Sequence, residues 1–71
     1  MLYVIQYMLS EISLNDEAMG KIEMTGVYDI PTVNAVRRFK RRNLMDDNPL
    51  LDVMTLNRIF DEYEASISDI W

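Results

Sequence analysis

Five of the chain's seven basic residues, Arg37, Arg38, Lys40, Arg41 and Arg42, fall within six consecutive positions. Guanidinium groups grip carboxylates through paired N–H donors, so a run of this kind is suited to holding an anion. Just upstream, Tyr28 adds an aromatic ring and Asn34 a carboxamide, the groups a shallow peptide or glycan site uses. Tyr28, Asn34, Arg37 and Arg38 are therefore the candidate binding residues. Each also has a competing scaffold role. Tyr28 would pack into the core, Asn34 would brace a turn, and basic side chains ending a helix complement its dipole by about 0.3–1 kcal/mol each.

Catalysis is not expected. The 71 residues include no histidine and no cysteine, which removes the commonest general base and the usual zinc ligands together. Carboxylates remain, but Asp61, Glu62 and Glu64 crowd one helix face instead of facing each other across a cleft of about 5–9.5 Å. A calcium loop starting at Asp46 fails because Leu51 stands where the turn glycine belongs and Asn57 where a bidentate glutamate is required. The expectation is a non-enzyme with no catalytic residue, no metal and no cofactor.

Twelve acidic residues against seven basic ones give a net charge of −5, a balance that argues against nucleic acid as a partner. Outside Arg37 to Arg42 the chain is strongly acidic, which predicts an electrostatically two-sided molecule. No apolar run approaches the roughly 20 residues of a membrane span. Met1 to Leu9 also lacks the basic leading region of a signal peptide.

The elements that must position the candidates follow from periodicity. Leu2, Ile5, Met8, Leu9 and Ile12 recur as one face of a first helix, Leu2 to Ile12. Gln6 lies beside that face, where its amide is expected to tie down a neighbouring backbone group. Residues 14–25 read as a loop closing into a short extended segment, and Gly26 as a residue with positive φ. A second helix, Ile30 to Arg42, starts with Asp29 as cap and Pro31 in its first turn. Ala35, Val36 and Phe39 face inward; Arg37, Arg38, Lys40 and Arg41 are placed on the opposite face. The helix is expected to end near Asn43 in a left-handed conformation.

Asp46-Asp47-Asn48-Pro49 is a turn by composition. Asp52 then caps a third helix whose apolar face is Leu56, Ile59, Phe60 and Tyr63, running to about Glu64. Residues 65–71 are read as a tail that folds back, extends the third helix or is a cut end of a longer chain. Within it Trp71 is either a ring for a ligand to rest on or simply a chain end.

Tyr28 to Val36 aligns without gaps on Leu51 to Ile59, at an offset of 23 residues. Both copies read Asp, aliphatic, any, Thr, aliphatic, Asn, any, aliphatic. Two copies do not make a solenoid, which needs at least three. They describe one all-α, compact three-helix domain, residues 1–64, with an internal turn-helix pseudo-repeat. A chain of this length buries roughly 60% of its unfolded surface and supports a single core.

Ile5-Gln6 and Leu9, then Gly26-Val27-Tyr28, Thr32, Ala35-Val36 and Phe39-Lys40, then Asp52, Thr55, Asn57 and Ile59, resemble the small three-helix peptidoglycan-binding domain of bacterial cell-wall and spore-cortex hydrolases. The resemblance spans Leu2 to Tyr63. It departs at Lys40, where that family usually has Gln, and at Asp46 to Leu50, where it usually has an Asp-Gly turn. It implies a non-catalytic carbohydrate-binding module outside the cell, at the cell wall or spore, exported by a signal on a parent chain. The implied partners are the glycan or stem peptide of peptidoglycan and a linked catalytic domain. The alternative is a protein-interaction or regulatory domain that keeps this fold without glycan binding.

Overall fold

The computed structural model describes residues 1–68. Three helices, α1 (Leu2–Ser13), α2 (Ile30–Arg42) and α3 (Val53–Ser68), are joined by a 3₁₀ turn at Glu17–Met19 and by irregular turns. The protein is a small all-α three-helix domain. α1 packs mainly on α3, while α2 leans on α1 and on the 3₁₀ turn.

The core is the sum of the apolar faces. α1 contributes Ile5, Leu9 and Ile12, α2 contributes Ala35, Val36 and Phe39, α3 contributes Ile59, and the connection adds Met19 and Ile22. Each large side chain buried in this way is worth about 1.5–3 kcal/mol. Met8, Leu51, Leu56, Phe60 and Tyr63 close the core's edge, and the Tyr7 and Tyr63 rings meet edge to face at 6.0 Å.

Residues 14–25 bury Met19 and Ile22 but leave Met24 exposed, and no strand forms among the described residues. Asp16 caps the 3₁₀ turn by accepting the Ala18 N–H at 3.2 Å. Gly26 has the expected positive φ, +75°. The nearest neighbour to a Cβ there would be the Tyr3 ring at 3.6 Å, so backbone conformation and not space demands glycine.

Gln6 is fully buried and holds the turn ahead of α2. Its Oε1 accepts the Gly26 N–H at 2.8 Å, and the two hydrogens of its Nε2 are shared among the Val27 carbonyl at 2.9 Å and the hydroxyls of Thr32 and Thr25 at 2.9 and 3.1 Å. Asp29 then caps α2 through the Thr32 N–H at 3.2 Å. Asp52 caps α3 in the same way through the Thr55 N–H at 2.9 Å. The pseudo-repeat reaches further back than the sequence echo. Thr25 Oγ1 accepts the Val27 N–H at 3.2 Å, and Asn48 Oδ1, 23 positions later, accepts the Leu50 N–H at 3.0 Å. In each copy a buried polar side chain from the preceding helix joins that turn: Gln6 in the first, Lys40 in the second.

Lys40 is thus a correction to the outward placement given above. It is only 2% exposed. Four residues after Val36 it lies on the inner side of α2, where its methylenes pack and its ammonium donates to Asn48 Oδ1 at 2.7 Å. Asn43 is a second correction, since its φ is −92° and the left-handed residue is Leu44, φ 59°. The Leu44 N–H bonds the Arg41 carbonyl at 3.1 Å and the Met45 N–H the Lys40 carbonyl at 2.8 Å, which is a Schellman ending. Asn43 spends its side chain elsewhere, donating to the Phe39 carbonyl at 2.9 Å and accepting from Arg58 at 3.0 Å. α3 runs through Ser68 and so takes up residues 65–68 of the tail. Trp71 lies outside the described residues.

Two substitutions test these constraints by thermal denaturation. Gln6→Leu keeps most of the volume and strands the partners of the amide. A loss of about 2 kcal/mol should lower Tm by about 10 °C. Leu44 is 95% exposed, so Leu44→Gly sacrifices no packing. It relieves a left-handed leucine and should raise Tm by about 4 °C, net of glycine's extra chain entropy.

Candidate functional site

Asn34, Arg37, Arg38 and Arg41 stand at i, i+3, i+4 and i+7 along the outer stripe of α2, opposite the buried Ala35, Val36 and Phe39. With Ala18 from the 3₁₀ turn they line a shallow depression of about 310 Å³. A second depression of about 330 Å³, lined by Ala18, Met19, Gly20, Lys21, Ile30, Pro31 and Asn34, shares two of those residues. The two adjoin at Ala18 and Asn34 and form one trough between the 3₁₀ turn and α2. Three of the four candidate residues, Asn34, Arg37 and Arg38, are brought together here. Asn34 braces no turn: it is exposed and makes no side-chain hydrogen bond among the described residues.

Tyr28 is elsewhere. Its hydroxyl donates to the Pro49 carbonyl and so links the turn before α2 to the turn before α3. The ring is 36% exposed, neither a core residue nor part of the trough. Partial burial pushes its phenol above the ordinary value.

The arginines are not a bare positive face, because each is answered by a carboxylate from another segment. Arg38 Nε and Nη2 donate to the two Asp16 carboxylate oxygens at 3.2 and 3.3 Å. Arg42 Nη1 reaches the same carboxylate at 3.3 Å and also pairs with Glu62. Arg42 further lies over the Phe39 ring at 5.7 Å. Arg41 Nη2 donates to Asp47 Oδ2 at 2.9 Å, and Arg37 Nε to the Asp47 carbonyl at 2.8 Å. Four guanidinium groups are answered by three carboxylates from three other segments. Opposite charges far apart in sequence fold onto one another because each lowers the other's cost of leaving water.

Arginine offers five N–H donors, and the pairs above engage only part of them. Arg37 and Arg41 keep 46% and 61% of their side chains exposed, and Arg38 keeps 35%. The trough therefore presents oriented N–H donors beside the Asn34 amide, a surface suited to an anionic or hydrogen-bonding chain. Sequence reasoning left Arg41 out of the site, although its helical spacing from Asn34 and Arg37 was legible. Asp16, Asp47 and Ala18 carried no such signal, because they come from other segments.

No cluster of three His, Cys, Asp or Glu side chains able to hold a metal occurs among the described residues. None of the described helices is long and apolar enough to cross a membrane. Comparison with models of known protein families, with characterised proteins and with solved structures finds no match.

The carboxyls of Asp16, Asp29, Asp47 and Asp52 sit below their ordinary value of 3.8. For Asp16 burial pushes upward, but the Arg38 hydrogen bond and charge, the Ala18 N–H and the Arg42 charge together outweigh it. The Thr32 and Thr55 hydroxyls and N–H groups lower Asp29 and Asp52, and Arg41 and Arg37 lower Asp47. Each carboxyl binds its proton less readily folded than unfolded. Its stabilising effect is therefore present above 3.8 and is lost as pH falls through the lower folded values. Thermal melts should show Tm nearly constant from pH 7 to about 5 and falling steeply below about pH 4.

Proposed function

We propose that this domain is a non-catalytic module that binds peptidoglycan and holds a linked hydrolase against its polymer. The observation that carries the reading is the trough beside α2, with an exposed carboxamide at its middle and three half-exposed arginines at one end. An elongated, shallow surface suits a linear polymer better than a small molecule, which is usually bound in an enclosing pocket. The stem peptides of peptidoglycan carry carboxylates that arginine grips in pairs. The sequence resemblance to peptidoglycan-binding domains, carried by residues such as Gln6, Gly26, Thr32, Phe39, Asp52 and Thr55, supports the same reading. Tethering raises the effective concentration of an attached enzyme at its substrate without new catalytic chemistry. In this reading the domain works outside the cell, at the wall or spore, and depends on a parent chain for export.

A protein-interaction or regulatory role is favoured by a different feature. Leu44, Leu50, Val53 and Met54, around the turn between α2 and α3, are 95%, 62%, 71% and 74% exposed, and exposed apolar side chains concentrated in one region mark contact surfaces. Tight association with an adjoining catalytic domain in the absence of peptidoglycan would support that role.

Sedimentation with insoluble peptidoglycan separates the two. The wild-type domain should appear in the pellet at low and moderate salt, and the double variant Arg37→Gln/Arg41→Gln should lose at least about 5-fold of that binding, given two charge-assisted contacts removed. Arg58→Gln, at a residue that lines neither depression and donates to Asn43, should pellet like wild type. A wild-type protein left wholly in the supernatant rejects the proposal.

A further inference from the structure

The four arginines of α2 are held by carboxylates of two different kinds. Asp16 is enclosed, with 8% of its side chain exposed. It accepts from Arg38, Arg42 and the Ala18 backbone together, and that set cannot be surrendered without opening the contact between the 3₁₀ turn and α2. Asp47 is open, with 45% of its side chain exposed. Its Oδ2 lies 2.9 Å from Arg41 Nη2 and 3.7 Å from Arg37 Nη2, so a single carboxylate oxygen sits between two guanidinium groups that are one helical turn apart.

Arg37 does not depend on that carboxylate for its position. Its Nε donates to the Asp47 main-chain carbonyl at 2.8 Å. If the Asp47 side chain swings out, the backbone contact still aims the Arg37 guanidinium along the same line. An exposed ion pair of this type contributes little net stability, because both partners remain well solvated when apart. A ligand carboxylate placed between Arg37 and Arg41 would put one oxygen within hydrogen-bonding reach of each guanidinium, where Asp47 now makes one hydrogen-bonded pair at 2.9 Å and one longer contact at 3.7 Å.

We infer that Arg37 and Arg41 form a clamp for the carboxylate of a bound peptide, and that Asp47 occupies this clamp and is displaced by the incoming carboxylate. Asp47 thereby sets the threshold for binding: weakly acidic or neutral groups do not displace it, and a free carboxylate does. Arg38, locked by Asp16, orients the neighbouring surface without exchanging partners. The inference takes from the proposed function only the idea that a peptide carboxylate is the natural ligand, and the site itself stands on the Arg37, Arg41 and Asp47 geometry.

The test is an NMR titration with N-acetyl-alanyl-alanine bearing a free α-carboxylate, and with its C-terminal amide and inorganic phosphate as comparisons. In the wild-type protein the free-acid peptide should shift the Nε–Hε resonances of Arg37 and Arg41 and the side-chain carboxyl carbon of Asp47, while the amide leaves them in place. Asp47→Asn, which keeps the backbone carbonyl and the side-chain shape, should tighten binding about 3- to 10-fold, as expected when a competing charge is removed. Phosphate shifting the same resonances more strongly than the peptide would overturn the choice of a peptide carboxylate.

An unchanged or weaker affinity for Asp47→Asn, with Tm within a few degrees of wild type, would overturn the exchange. So would an Asp47 carboxyl resonance in the wild-type protein that stays still while the arginines shift, a reading that needs no variant to fold. Sedimentation with peptidoglycan by a protein whose clamp does not exchange leaves the proposed function standing and removes this inference. A clamp that exchanges in a protein that never sediments does the reverse.

Discussion

The Gln6 carboxamide is the point on which the helices' relative positions depend. It is enclosed by α1, by the turn at residues 25–27 and by the first turn of α2, and it meets a backbone N–H, a backbone carbonyl and two hydroxyls. Backbone polar groups shielded from water must find partners. An irregular turn lacks the internal ladder of a helix, so a side chain from a neighbouring element has to supply them. Once Gln6 fixes Gly26 and Val27, Asp29 is placed to cap α2, and Ala35, Val36 and Phe39 are delivered to the core. The outer stripe of α2, which carries the trough, is fixed by the same step.

Lys40 repeats the device on the second turn, with a difference in kind. A carboxamide both donates and accepts, whereas an ammonium only donates. Lys40 therefore binds Asn48 Oδ1, which also receives the Leu50 N–H, and makes no contact with a turn N–H of the sort Gln6 makes with Gly26. The Asp46 to Leu50 turn and the lysine facing it are joined through Asn48. They are in direct contact, so a change in one is felt by the other.

The arginine run serves the scaffold first. Asp16 and Glu62 fasten it to the 3₁₀ turn and to α3, and Asp47 fastens it to the turn between α2 and α3. What those pairs leave over is N–H donors not consumed by them, in side chains still half exposed. Under the proposed function, a ligand would have to offer these arginines more than the internal carboxylate already does.

Local features were legible in the residues themselves. The spacing of Ile5, Leu9 and Ile12, and of Ala35, Val36 and Phe39, determined two helices and their buried faces. Asp29 with Thr32 and Asp52 with Thr55 determined both helix starts and the pseudo-repeat, since capping acts over three residues of chain. Of the site, the helical stripe through Asn34, Arg37 and Arg38 was readable, and its extension to Arg41 followed from the same period. The inward side of Lys40 was written in its spacing of four from Val36; only the tertiary structure decided that its ammonium meets Asn48, that Leu44 and not Asn43 takes the left-handed position, and that Tyr28 reaches Pro49 instead of the core or the trough. It alone brought Asp16 and Asp47 to the arginines, across separations of 22 to 26 and 6 to 10 residues respectively. The physical reason is common to all of these. Helix period and capping are written within one turn of chain, whereas the partner of a charge or a buried polar group is whichever distant segment packing brings within hydrogen-bonding reach.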